Sequence, residues 1–315
     1  MSWTRLLVMA IMALLIVSCG GSSGSGSASD TGGNSADDGT SDNSDDGADS
    51  GDQVDLLTGV DASAPADTVK ICFIHHSTGS AWIQNDNGHL GAALNDNNYY
   101  VTEIDYGWDA AAATNIGDHT DTTDWPDWFN DDIMPDVYAN SAHYDYTNTI
   151  ADPGGDNQII MFKSCYPNSE VGSSIADEKA IYLGLLDYFA EHQDKLFILV
   201  VPPPEIVIDS AALTRELAGW LVDMEAGWLA QYPYDNVFPF DYYNVLTDPE
   251  NHHRVEDGNV VHTVSSDPAD PDRPDELYYY TGTNDHPTAE GHRKATDEYL
   301  PLLNAYYHLW QASRN

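Results

Sequence analysis

The chain has 315 residues and carries 52 Asp and Glu against 11 Lys and Arg, a formal net charge of −41. That balance excludes a nucleic-acid surface, which needs clustered cations to neutralise phosphates. Residues 1–66 hold only ten of the acids and one base, so the remainder is itself strongly anionic, as suits solubility in salty or extracellular water.

Leu6 to Val17 is a 12-residue apolar run behind a single cation, Arg5. It is too short to span a bilayer and fits the apolar core of an export signal. It runs into Ile16-Val17-Ser18-Cys19, which resembles the lipobox of bacterial lipoproteins. The resemblance implies a signal peptide over 1–18, with cleavage before Cys19 and acylation of its thiol. It also implies a lipid-anchored protein of the cell envelope. Gly20 after the Cys favours the outer over the inner membrane of a Gram-negative cell. From Gly20 to Asp52 the only hydrophobic residue type is Ala, so little apolar surface is available to offset the entropy of ordering. An acidic Gly/Ser/Asp tether is expected over 19–66, and a single folded domain over 67–315.

Within that domain Val69–Ile74 reads as a buried strand, followed by the polar turn His75-His76-Ser77-Thr78-Gly79 and a helix towards Leu94. Tyr99–Ile104 is a second strand, ending at Asp105-Tyr106-Gly107. A polar, Trp-rich insertion spans 108–157. Gln158–Phe162 is a third strand. A helix with Ile181, Leu185 and Phe189 at four-residue spacing follows, with Ser173 and Ser174 as capping candidates. Leu196–Val201 is a fourth strand. A helical stripe runs from Leu213 to Trp228, and Asn236–Phe240 is a fifth strand ending at Asp241. After it comes a loop of about 45 residues and a last helix from Thr288, with Pro301 expected to kink or restart it. Strands alternating with helices predict an α/β fold, a parallel sheet with helices on both faces. Ligands of such sheets bind beyond the carboxyl ends of the strands.

The polar clusters fall at those ends. A serine hydroxyl needs a base within hydrogen-bond reach and donors for the developing oxyanion. Ser77 leaves the first strand in a tight turn, and His286 in Asp285-His286-Pro287-Thr288 precedes the last helix. Ser after strand one, Gly after strand two, Asn after strand three and His-Pro before the final helix together resemble the SGNH (GDSL-type) hydrolases over about 68–312. The resemblance implies a three-layer α/β/α, flavodoxin-like fold with a five-stranded parallel sheet in the order 2-1-3-4-5. It implies a serine esterase with Ser77 as nucleophile and His286 as general base. Ser77, Gly107 and Asn168 would be the oxyanion donors. No cofactor and no metal are implied. The partner would be an ester substrate, an acylated glycan or a small ester.

The chain departs from the family pattern in three places. His75-His76-Ser77 stands for the usual Gly-Asp-Ser, and Thr283 stands where the family's acid precedes the His by three residues. Asp285, adjacent to His286, is then the candidate acid. Asn168 lacks the usual neighbouring Asp. The predicted strand order also makes the first and third strands neighbours, so a Cys72–Cys165 disulfide is allowed in an oxidising compartment. Two other readings stay open. His75, His76, His252, His253, His262 and His286 offer ligands for a metal-dependent hydrolase, though no metal-spaced pair such as H-E-x-x-H occurs. Trp108, Trp125 and Trp128, if exposed, would suit a non-catalytic carbohydrate-binding surface.

Overall fold

The computed structural model describes residues 53–164, 175–206, 211–265, 277–282 and 284–314. In chain order, strand β1 (Gln53–Thr58) is followed by β2 (Val69–Ile74), helix α1 (Ser77–Ile83), α2 (Leu90–Asp96) and β3 (Tyr99–Ile104). The Trp-rich segment contains the short helices α3 (Trp125–Trp128) and α4 (Met134–Tyr138). Then come β4 (Ile159–Phe162), α5 (Ala176–Glu191), β5 (Leu196–Val200), α6 (Ala211–Val222) and β6 (Val237–Phe240). The chain closes with α7 (Tyr242–Val245), the hairpin β7 (His252–Glu256) and β8 (Asn259–Thr263), and α8 (Ala289–Ser313).

Strands β2 to β6 form one parallel sheet in the order β3-β2-β4-β5-β6. Counted from β2, this is the order 2-1-3-4-5 of a flavodoxin-like α/β fold. These strands are buried almost throughout because both faces of the sheet are covered, and they are apolar apart from Lys70 in β2 and Thr102 and Glu103 in β3. Side chains alternate between two cores. Cys72, Ile74, Ile160, Phe162, Phe197 and Leu199 pack with α5, α6 and the Trp-rich segment. Ile71, Phe73, Ile159, Met161, Ile198 and Phe240 pack with α1, α2 and α8.

Several expectations change. The tether assigned to 19–66 is too long, because Gln53–Thr58 is a strand paired antiparallel with β8. The 45-residue loop after Asp241 instead contains α7 and the β7–β8 hairpin, whose turn is Asp257-Gly258 with φ of 50° and 77°. Ladder pairing from β1 and β7 stabilises β8, although its apolar pattern is weak. The single helix expected between the polar turn and Leu94 is two helices, α1 and α2. A side chain at Gly88 would lie 2.2 Å from the Trp82 carbonyl oxygen, and only glycine lets the chain double back there. Trp228 lies beyond α6, which ends at Val222. The chain turns back at Gly227, and Trp228 fills the core with its Nε1 donating to the Tyr182 carbonyl at 2.8 Å. Pro301 does not break α8, which runs for 25 residues. Tyr299, Leu302, Leu303 and Tyr306 around it are all buried, and their packing outweighs the roughly 3 kcal/mol cost of an interior proline. Trp108, Trp125 and Trp128 are buried as well, so they present no stacking surface.

Candidate active site at the carboxyl edge of the sheet

Ser77 is the first residue of α1 and is half-buried. His75 and His76 carry the chain from β2 into it. His75 continues the β2–β3 ladder, its amide donating to the Ile104 carbonyl at 3.0 Å. His76 is buried in extended backbone. Its ring stacks on Tyr106 with centroids 3.8 Å apart, contacts the Thr120 hydroxyl through Nδ1 at 3.0 Å, and donates from Nε2 to the Gly117 carbonyl. That bond fixes the proton on Nε2. The turn is tight because position 79 has no side chain, and a Cβ there would lie 2.4 Å from the His75 Cβ.

Gly107 sits past β3 with φ of 73°. Its amide, assigned above to an oxyanion, donates to the Asp118 carboxylate at 2.7 Å. The donor is therefore occupied, and the Gly107 assignment does not match this arrangement. Asn168 and Cys165 lie outside the described residues, as does Cys19. Cys72 is a buried free thiol. Burial pushes it up to about 12, and Asn140 donates to its Sγ at 3.7 Å.

His286 is half-buried in the segment leading to α8, its backbone N–H donating to the Asn284 side chain at 3.3 Å. Asp285 is exposed, and its carboxylate accepts the Ile206 amide at 3.2 Å, which ties this segment to the chain leaving β5. His292, one turn into α8, is fully buried. Its Nδ1 lies 2.6 Å from the Tyr242 hydroxyl, and its Nε2 has no hydrogen-bond partner. Burial first, and then the nearby His286 and Lys163, lowers its pKa to about 3, so the ring is neutral.

Electrostatic interactions link several of these groups in pairs. Lys163 directly follows β4, is fully buried and donates to the Ser164 carbonyl at 2.8 Å. It acts on both His292 and Asp121. Burial, followed by Asp124, raises Asp121, against the pull of His76, Lys163 and His119. Burial, followed by Asp285 and Asp121, raises Glu205. One linked set of charges thus spans the ends of β2, β4 and β5 and the entry to α8. Sequence reading found Asp285 and His286 in it, and Ser77 lies outside this set, one residue past His76. That reading missed Lys163, Asp121, Glu205 and His292, which stand in no short motif. Lys163 alone left a signal, as a cation directly after an apolar strand.

A second group lies beside the turn. His75, Asp105 and Asp145 each offer a ligand atom, and these atoms lie within 4.8 Å of one another. A groove of about 790 Å³ lies elsewhere, lined by β7 and α8, where Lys294 pairs with Glu298 at 2.8 Å, Arg254 pairs with Glu256 at 3.0 Å, and Arg293 donates to the Asn87 carbonyl at 2.9 Å.

No protein-family model matches the chain, and no curated protein matches it. Among solved structures, a family two carbohydrate esterase from Cellvibrio japonicus is similar at 13% identity with a TM-score of 0.35, over 79% of this chain. The chain spans 64% of that protein's length.

Proposed function

We propose that this chain is a serine esterase that hydrolyses carboxylic esters through an acyl-enzyme, exported and anchored by a lipid on Cys19. The reading rests on Ser77 at the start of the helix leaving β2, at the carboxyl end of the parallel sheet, and on His286 in the segment that enters α8. His286 takes the Ser77 proton as Ser77 attacks the ester carbonyl, passes it to the departing alcohol as the acyl-enzyme forms, and then takes a proton from the water that releases the acid and restores Ser77. Because Gly107 is bonded to Asp118, the oxyanion falls to the Ser77 amide and Asn168, with positive potential from Lys163. Asp285 remains the candidate for orienting His286. An acylated glycan suits an enzyme tethered at the cell surface.

A p-nitrophenyl ester series on wild type, Ser77→Ala and His286→Ala tests this. Each variant is expected to lose about 10³-fold or more in kcat/KM. A fluorophosphonate should label wild type and not Ser77→Ala. Equal rates in all three proteins would overturn the assignment.

A further inference from the structure

We propose that His75, Asp105 and Asp145 bind one divalent transition-metal ion, in a site that fixes the turn carrying Ser77. The proposal does not depend on the esterase reading. The backbone brings the first two donors together, because β2 and β3 pair in parallel with Ile74 opposite Ile104, so His75 and Asp105 leave adjacent strands side by side. Glu103 brings the third. It is fully buried, and its carboxylate accepts the backbone N–H groups of Tyr144, Asp145 and Tyr146 at 3.2, 3.0 and 3.1 Å, which holds the Asp145 loop in place.

The same carboxylate sets the histidine. His75 is fully buried, and its Nε2 lies 3.4 Å from Glu103 Oε2. A carboxylate only accepts, so the ring proton is on Nε2 and Nδ1 is a bare lone pair. The hydroxyl of Ser80 lies 3.5 Å from Nδ1 and 3.4 Å from Asp105 Oδ2, and it has one proton to share between these two acceptors. A cation held between them would satisfy the imidazole lone pair and the carboxylate together, which one hydroxyl proton does not. A histidine whose far nitrogen is held by a carboxylate is how proteins orient a metal ligand. Among the described residues, no Lys or Arg ion pair reaches Glu103, Asp105 or Asp145. Three carboxylates therefore face one imidazole. One nitrogen and two carboxylate oxygens suit zinc or manganese better than calcium or magnesium, which prefer all-oxygen sets. The donors stand 30 and 40 residues apart in the chain, which is why no spacing motif announces them.

The test is calorimetric titration of the chelator-stripped full chain with zinc and manganese chlorides, with calcium and magnesium in parallel. One equivalent of zinc or manganese should bind, about 100-fold or more tighter than calcium or magnesium. Asp145→Asn, on a half-buried loop residue, should weaken that binding about 100-fold while its circular dichroism and cooperative melting persist, and Asp105→Asn should do the same. Ser77→Ala should bind the metal like wild type, which separates this result from the fate of the esterase reading. No saturable binding by wild type would overturn the proposal. So would equal affinity for calcium, or unchanged affinity in both Asn variants.

Discussion

Glu103 shows how one side chain organises this end of the molecule. It is a buried carboxylate with three backbone donors and a histidine around it. Glu103→Gln keeps the shape but turns an NH₂ towards N–H groups that need an acceptor. Hydrogen bonds to a charged group contribute about 1.5–3 kcal/mol each, and an unmet buried donor costs a similar amount. We expect Glu103→Gln to lower stability by about 2–3 kcal/mol in urea melts, and a change below about 0.5 kcal/mol would refute this account. Gly79 makes a related point. An added methyl would overlap His75, so Gly79→Ala should destabilise by about 1–3 kcal/mol through forced movement of α1. At this scale the sequence was partly legible. Ser77 and His286 stood out because their positions follow from strand ends and a His-Pro helix entry. The use of the Gly107 amide did not, because Asp118 is an ordinary acid in a chain full of acids until the fold brings it to 2.7 Å.

Among the elements, the five parallel strands were readable because a strand buried on both faces is mostly apolar. The hairpin was not. His252–Glu256 and Asn259–Thr263 carry mixed residues because they pair at the edge of the core, and hydrogen bonding to β1 and each other holds them. The overlooked signal was Asp257-Gly258, the dipeptide that a two-residue turn with two positive φ angles prefers. The proline in α8 misled in the other direction, since a local rule gave way to packing along a long helix. Gly258 has φ of 77°, a conformation costing an L-residue about 1–2 kcal/mol, and more for a β-branched one. Gly258→Val should therefore loosen β7 and β8 selectively. Hydrogen exchange should speed up in 252–263 and 53–58 while amides of the parallel sheet keep their protection. Uniform acceleration across both sheets would mean that the hairpin is not a separate cooperative unit.

For the molecule as a whole, acid stability sets two effects against each other. The net charge of −41 opposes compaction, and protonating carboxylates relieves it, which favours folding at low pH. Against this, His253 and His292 are buried with pKa values lowered to about 3, burial being the main cause in each. Between about 3 and the unfolded value near 6.5, the unfolded chain binds a proton on each and the native state does not. Their contribution is complete above that range and is lost as pH falls through it, by about 1.4 kcal/mol per pH unit for each ring. Carboxylates near their usual values begin to titrate only below about pH 5, so between pH 6.5 and 5 the histidine term decides. Asp241 and Glu298 add to the loss further down. Burial raises both, but the bonds to His262 and Asn244 in the first case, and to His252 and Lys294 in the second, prevail and lower them. Their contribution holds above about pH 4 and disappears as pH falls through their native values. His292→Gln removes one titrating ring. It also removes the bond to Tyr242, so lower stability at every pH is expected and decides nothing. The slope decides: urea unfolding free energies at pH 6.5, 6.0, 5.5 and 5.0 should fall less steeply in the variant, by about 1 kcal/mol per pH unit averaged over this range. Parallel lines for variant and wild type would show that His292 is protonated in the native state over this range, and the neutral ring beside His286 would be wrong.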